Sequence, residues 1–237
     1  MGNGQILLLW DVDHTLIENA GVSKEIYARA FEHLTGRAPA ASIQTDGRTD
    51  FEIVGNLLRA NGENPDGFAR QVITEALVTA MKEKYDDLRR RGSVLPGARE
   101  ALSAVLLDNS IHQSVLTGNI APNGRAKLAA LGLDQFIDFE IGGFGSDDID
   151  RPKLVGYAQR RAGEKYGVEF ELKSTVLIGD TTRDIRAAKN GGAQAIGVAT
   201  GIDSADVLRT EGADAVFDDL RDTEAVIAAV RKLAGRS

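Results

Sequence analysis

Short runs of consecutive apolar residues recur along the chain, and each ends in a polar or glycine-containing turn. The runs occupy residues 6–10, 114–116, 136–141, 175–178, 195–198 and 215–217. Strands of a parallel sheet are buried on both faces, so they show continuous apolar runs rather than strict alternation. The pattern therefore predicts six buried strands.

From about residue 92 onward, helical patterns separate these runs. Pro96-Gly97 precedes one helix, and Asn123 is expected to cap the helix that begins GRAKLAALGL. Further helices are predicted over residues 153–166, 183–190, 204–211 and 223–233. Alternating strands and helices are typical of the α/β class. We expect a doubly wound parallel-sheet core of the Rossmann-like kind.

The segment from residue 17 to residue 90 interrupts this alternation. It contains three helix-like stretches, at 24–36, 51–61 and 66–91, and no convincing strand. The last stretch ends in the charged run KEKYDDLRRR, which we interpret as a solvated helix face. The predicted domains are an α/β core formed by residues 1–16 plus 91–237 and an inserted all-helical cap at 17–90.

Composition excludes several classes of protein. The formal net charge of −7 argues against a nucleic-acid binder, which usually carries a basic patch. The absence of cysteine excludes disulfides, thiolate metal sites and a cysteine nucleophile. No apolar run of about 18 residues is present for a membrane span, and the N-terminal stretch does not resemble a signal peptide. We expect a cytoplasmic protein, monomeric or homodimeric, without nucleic-acid or membrane partners.

Residues with polar side chains or free main-chain amides cluster just after the predicted strands. They are Asp11, Asp13 and Thr15; Thr117, Gly118 and Asn119; and Asp180, Thr181 and Asp184. Ligands of doubly wound sheets bind at the carboxyl ends of the strands, so these groups are expected to meet at one edge. Several carboxylates held together favour a hard cation with oxygen ligands, and Mg²⁺ takes only a few carboxylates while keeping waters.

Mg²⁺ beside main-chain amides and hydroxyl groups suits a phosphoryl group. One carboxylate would attack phosphorus as the nucleophile, and a second would protonate the departing alkoxide and later activate water. Residues two positions apart in an extended segment share a face, so Asp11 and Asp13 can both face the phosphate.

Three segments, in this order, resemble motifs of the haloacid dehalogenase-like (HAD) superfamily. DVDHT at 11–15 resembles its first motif, DxDxT; TGN at 117–119 is similar to the second; GDTTRD at 179–184 is similar to the fourth, GDxxxD. Residues 17–90 fit the helical cap inserted after the first motif, so the resemblance covers the whole chain.

The resemblance implies a role for each matching position. Asp11 would be the nucleophile and a metal ligand, and Asp13 the general acid/base, with its main-chain carbonyl on Mg²⁺. Asp180 would complete the metal site, and Asp184 would support it directly or through water. The phosphoryl oxygens would be held by Thr117, Gly118 and Asn119. Phosphatases and phosphomutases of the superfamily carry an acid at the position of Asp13 and dehalogenases lack it, so phosphoryl transfer is expected.

The third motif leaves two candidates for its cation. The superfamily requires a lysine, less often an arginine, to neutralise the nucleophile and the phosphate. Aligning RPKLVGYA at 151–158 with a common relative of this motif, KxxVIxxA, puts Arg151 in the site and Lys153 on the surface. The alternative register puts Lys153 in the site. We favour Arg151.

Three further residues carry open questions. Glycine is usual at the position of His14; we expect an extended segment there, with the imidazole turned away from Asp13 and serving packing. Arg48 lies in GRTD, which resembles the GxTD stretch of phosphoglycolate phosphatase-like caps. It either binds a substrate anion or is an exposed loop charge. A Schiff-base role for Lys24, as in phosphonate hydrolases of the superfamily, is disfavoured.

The sequence thus predicts a Mg²⁺-dependent phosphatase acting on a small phosphorylated metabolite, with a phosphoglycolate-like substrate favoured. The alternatives are a phosphomutase of the same superfamily and a non-catalytic phospho-ligand-binding protein that kept the fold. A response-regulator receiver is disfavoured because its phosphoacceptor lies mid-chain and it has no inserted cap.

Overall fold

Strands and helices alternate along most of the chain in the computed structural model, which describes residues 4–42, 44–45 and 47–235. The strands are β1 (Ile6–Trp10), β2 (Ile17–Glu18), β3 (Ser93–Val94), β4 (Ile111–Thr117), β5 (Gly143–Phe144), β6 (Thr175–Gly179), β7 (Gln194–Val198) and β8 (Ala215–Phe217). The α-helices are α1 (Val22–Thr35), α2 (Asp50–Ala60), α3 (Arg70–Arg91), α4 (Ala98–Leu106), α5 (Ala121–Ala130), α6 (Arg151–Tyr166), α7 (Thr182–Gly191), α8 (Ala205–Glu211) and α9 (Thr223–Leu233).

Six strands form one parallel sheet in the order β5-β4-β1-β6-β7-β8. Strand β1 is fully buried, and its side chains alternate between two apolar cores, with Leu8 and Trp10 in one and Leu7 and Leu9 in the other. The chain order reverses across β1, whose neighbours are β4 and β6, so the sheet switches direction where β1 ends. The predicted α/β fold is confirmed.

Two details of the predicted core are wrong. Residues 136–141 form no strand; residue 136 ends one 3₁₀ turn, Asp134–Phe136, and residues 139–141 form a second, Phe139–Ile141. The buried residues of this run, Ile137 and Ile141, are four positions apart, a spacing that lies on one face of a strand as well as of a helix, so the pattern does not distinguish the two. Asn123 does not cap α5 but lies inside it. Helix α5 begins at Ala121, two residues before Asn123, because the proline at position 122 is well suited to the first turn of a helix.

Helices α1, α2 and α3 pack around an apolar cluster of their own, which includes Phe31, Leu58 and Leu77. Ile120 and Ala130, at the two ends of α5, join this cluster and connect the helices to the α/β core. Strand β2 pairs antiparallel with β3 where the chain leaves the core and where it returns. The expectation of no strand within 17–90 is therefore wrong at β2, and the predicted domain limits remain a prediction.

Among the described residues, no helix combines the length and the apolar character needed to cross a membrane.

Candidate active site

The predicted site residues gather at the carboxyl ends of β1, β4 and β6, which are neighbours in the sheet. They line a cavity of about 50 Å³ between the sheet and helices α1 and α2. The sheet side contributes Asp11, Asp13, His14, Thr117, Gly118, Asn119, Arg151, Asp180 and Thr181, and the opposite side contributes Asn19, Ser23, Tyr27, Thr45, Gly47, Arg48 and Ile53. A space this small favours a small substrate.

Three buried carboxylates form an acidic group at this edge. Oxygen atoms of Asp11, Asp180 and Asp184 lie within 4.8 Å of one another. Burial raises the pKa of Asp11 to about 7, against the attraction of Arg151, and Asp184 adds repulsion. The pKa of Asp180 is raised well above its usual range, mainly by burial and to a smaller extent by repulsion from Asp184 and Asp11. A set of close oxygen donors that repel one another fits a hard divalent cation such as Mg²⁺.

Arg151 connects two members of this acidic group. Its Nη2 donates to Asp11 Oδ1 at 2.7 Å and to Asp184 Oδ1 at 2.5 Å. The other oxygen of Asp184 accepts from the main-chain nitrogen and hydroxyl of Thr181, at 3.0 and 2.7 Å, in a capping box that begins α7. Both oxygens of Asp184 are thus engaged, and this residue holds the guanidinium against Asp11.

The second candidate cation lies elsewhere. The side chain of Lys153 is 60% exposed and faces Asp148, with 3.3 Å between Nζ and Oδ2. The side chain of Arg151 is 7% exposed. Arg151 is the first residue of α6, and Lys153 stands two positions further, on the solvent side. The geometry therefore favours the register that places Arg151 in the site.

The carboxylate of Asp13 contacts a cation of its own. Lys127 Nζ lies 2.7 Å from Oδ2 and 2.9 Å from Oδ1 of Asp13, and the amides of Asn119 and Asn19 each donate at 2.9 Å. Burial would raise the pKa of Asp13, but Lys127 and the hydrogen bond from Asn119 lower it to about 2. Any metal contact of Asp13 is thus left to its main-chain carbonyl, as expected from the resemblance.

Sequence reasoning missed Lys127. The helix pattern offered one signal, since Asn123, Lys127 and Leu128 share the buried stripe of α5. A lysine on an inward face needs an anionic partner, because an unpaired charge is costly to bury. The identity of that partner depends on how α5 packs.

The loop after β4 brings the predicted phosphate-binding residues together. Thr117 Oγ1 accepts from the main-chain nitrogen of Asn119 at 3.2 Å and from its side-chain amide at 2.7 Å. The same amide group bonds Asp13, so Asn119 orients the second acid as well as Thr117. The carbonyl oxygen of Gly118 accepts from the main-chain nitrogen of Asp50 at 2.8 Å, which ties this loop to the start of α2.

Gly118 leaves no room for a side chain. A Cβ atom there would overlap the carbonyl oxygen of Arg48, which is main-chain rather than a movable side chain. We expect Gly118→Ala to displace the segment before α2. The overpacking should lower stability by about 1–3 kcal/mol, and kcat/KM should fall as well. Phosphatase assays and a melting curve test this. Gly156→Ala, in open space within α6, is the control and should leave both unchanged or slightly raise stability.

Arg48 lines the cavity from the cap side. Its Nε donates to Glu52 Oε1 at 2.9 Å, and Nη1 donates to the carbonyl oxygen of Gln44 at 3.2 Å. The side chain is 23% exposed. Arg48 is thus held over the site by local contacts rather than extended into solvent.

The expected extended backbone at His14 is wrong. His14 has a φ of 63°, in the left-handed region that glycine adopts without strain, which explains why glycine is usual at this position. The imidazole Nδ1 lies 2.9 Å from Glu18 Oε2, and the main-chain carbonyl accepts from the Thr200 hydroxyl at 2.5 Å. These contacts hold the strained turn that carries Asp13.

The chain is similar to several known proteins in sequence and in fold. Residues 151–223 match the HAD-hydrolase-like family model. A probable phosphatase, IndB, of Dickeya dadantii is 28% identical over 68% of this chain and 71% of its own length. A phosphoglycolate phosphatase (plasmid) of Cupriavidus necator is 27% identical over 94% of each chain. A hydrolase from Pseudomonas syringae shares the fold, with a TM-score of 0.65 at 21% identity over 95% of this chain and 99% of its own.

These similarities confirm the predicted resemblance to haloacid dehalogenase-like phosphatases, with a phosphoglycolate phosphatase among the relatives. They also confirm the expectation that the chain is an enzyme of the phosphatase class.

Proposed function

We propose that this protein is a Mg²⁺-dependent phosphatase that cleaves a small organic phosphate monoester through an aspartyl-phosphate on Asp11. One observation carries the proposal. The two acids of the DVDHT segment stand at the switch point of the sheet in different environments, Asp11 with the acidic group and Asp13 with Lys127. Two acids with different surroundings can take the different roles of nucleophile and acid/base.

In the first half-reaction the carboxylate of Asp11 attacks phosphorus. The new bond from Asp11 to phosphorus forms while the ester bond breaks. Asp13, whose pKa of about 2 leaves it ionised in the free site, takes up a proton with the substrate and gives it to the departing alkoxide. In the second half-reaction Asp13 takes a proton from water as that water attacks the same phosphorus. Inorganic phosphate leaves, and the carboxylate of Asp11 is restored.

The chain's cations and donors hold the phosphoryl group during these steps. Arg151, the hydroxyl of Thr117 and the main-chain amides of the following loop surround its oxygens. Asp11, Asp180 and the main-chain carbonyl of Asp13 would hold Mg²⁺, which would supply positive charge to offset the phosphate. Asp184 supports the site by holding Arg151.

The alcohol part of the substrate is proposed to lie against α1 and the segment before α2. That side of the cavity carries the polar side chains of Asn19, Ser23 and Thr45, with Arg48 beside them, which favours a short ester that carries an anionic group. The Cupriavidus relative is a phosphoglycolate phosphatase. A phosphoglycolate-like compound is therefore the proposed substrate class.

A screen of phosphate esters with Mg²⁺ tests the activity. Release of inorganic phosphate from several small monoesters, with phosphoglycolate among the best, is the expected result. A phosphomutase would release little phosphate because it protects its phosphoenzyme from water. A non-catalytic binder would release none, and either of these results would refute the proposal.

Mg²⁺ is expected to raise the melting temperature more at pH 8 than at pH 5. Asp11, with its pKa of about 7, is ionised at pH 8 and protonated at pH 5, and metal binding requires the ionised form. At a concentration 100-fold above Kd, bound Mg²⁺ would add about 2.7 kcal/mol of stability. Asp180→Asn should remove the shift, whereas Asp206→Asn, at a 93% exposed side chain, should keep it. The metal-site proposal fails if Mg²⁺ causes no shift at pH 8.

A further inference from the structure

A buried ammonium group contacts the second acid of the site. Lys127 is 2% exposed, and its Nζ lies within hydrogen-bond distance of both carboxylate oxygens of Asp13. Lys127 lies on α5 and belongs to none of the three motifs that resemble the superfamily. Burying a lysine is costly unless a partner compensates the charge. Here that partner is a reacting group rather than a structural carboxylate.

The position of α5 explains how Lys127 reaches the site. The helix begins directly after the loop that carries Thr117 and Asn119, and Lys127 lies on its buried face. Its end near Ile120 is tied to the cap, because the main-chain nitrogen of Ile120 donates to Asp50 Oδ2 at 2.8 Å. Lys127 is therefore fixed between the core and the cap.

The two acids of the DVDHT segment are contacted by two different buried cations. Arg151 Nη2 bonds Asp11 at 2.7 Å, and Lys127 Nζ bonds Asp13 at 2.7 Å. The resemblance led us to expect one cation, from the third motif, for nucleophile and phosphate together. In this chain the third-motif position holds an arginine, and a compact ammonium group comes from a different helix.

We propose that Lys127 is a positioning residue that acts through Asp13. Its ammonium group, with the amides of Asn119 and Asn19, holds the Asp13 carboxyl group where it can give a proton to the leaving oxygen and take one from water. This inference rests on the proposed phosphatase chemistry.

The role of Lys127 can be tested with two esters, because only one of their leaving groups must be protonated. Phosphoglycolate releases an alkoxide, which must be protonated, whereas p-nitrophenyl phosphate releases a stable phenolate. For Lys127→Met we expect kcat/KM to fall about 100-fold with phosphoglycolate but to change less than about threefold with p-nitrophenyl phosphate. Lys189→Met, at a surface lysine paired with Asp214, is the matched control and should leave both values unchanged.

The second half-reaction gives an independent measurement. With p-nitrophenyl phosphate, Lys127→Met should release about one equivalent of phenolate per site in a burst, followed by slow turnover, because Asp13 must still activate water. A purely structural role would lower kcat/KM for both esters equally and give no burst. That result, or no effect on either ester, would overturn the inference.

A double variant keeps the test decisive if Lys127→Met folds poorly. Asp13→Asn combined with Lys127→Met removes both charges, so no unpaired ion is left in the site. If Lys127 acts through Asp13, the double variant should show the same ratio of the two kcat/KM values as Asp13→Asn alone. A further fall of that ratio would contradict the inference. Failure of wild-type protein to cleave either ester would instead refute the proposed function.

Discussion

Replacement of Asp11 by asparagine is expected to lower turnover of every phosphate ester by at least about 10⁴-fold, the scale of loss on removing an enzymic nucleophile. The amide has the same shape as the carboxylate but cannot form the bond to phosphorus. Brief reaction with a labelled ester should leave labelled phosphate on wild-type protein and none on the variant. Wild-type kcat/KM in Asp11→Asn would contradict the assignment of the nucleophile.

The same variant should fold at least as well as wild type when metal is absent. Burial raises the pKa of Asp11 from 3.8 to about 7, so the folded state binds more protons than the unfolded state between these values. The free energy of unfolding should therefore fall as pH rises through this range. Asparagine has no charge to bury, so Asp11→Asn should weaken this pH dependence. Melting curves of metal-free protein at pH 5 and pH 8 measure the difference.

Arg151→Ala is expected to lower kcat/KM by about 10²–10³-fold, as for loss of one donor to transition-state charge. It should also cost about 3–5 kcal/mol of stability, because Asp11 and Asp184 would be left as buried charges without their partner. Mg²⁺ should restore part of that stability by supplying positive charge to the same carboxylates. Chemical denaturation with and without Mg²⁺, alongside steady-state kinetics, separates the two effects.

Lys153→Ala is the matched control for Arg151→Ala. Lys153 is exposed and paired only weakly with Asp148, so stability should change by less than about 0.5 kcal/mol and kcat/KM should stay at the wild-type value. Added guanidinium should partly restore activity to Arg151→Ala, since the missing group is small and charged. Loss of activity in Lys153→Ala with activity kept in Arg151→Ala would reverse the register of the third motif.

The sequence was informative where a structural feature depends on the local pattern of apolar and polar residues. The apolar run of β1 predicted a strand buried on both faces, and the helical spacing of residues 24–36 and 51–61 anticipated α1 and α2 within two residues. The polar turns after β1, β4 and β6 predicted which groups would meet. Parallel strands end at a common edge, so position along the chain was enough to predict this meeting.

Local patterns were less informative where the same kind of sequence is compatible with more than one local structure. Residues 136–141 are apolar enough for a strand, yet residues 136 and 139–141 lie in 3₁₀ turns. At His14 the identity of the side chain did not reveal the left-handed backbone, because φ is imposed by the turn between β1 and β2. Asn123 favours a helix cap by propensity, but the preceding proline moved the start of α5.

What the sequence by itself determined is the α/β alternation, the acidic strand ends and the order of three motifs that point to phosphoryl transfer. The tertiary structure decided which cation reaches which acid. Lys127 and Asp13 are 114 positions apart, and Arg151 and Asp11 are 140 apart. Such pairs depend on how α5 and α6 pack on the sheet. The strength of an ion pair depends on distance and burial, and neither quantity is encoded in local periodicity.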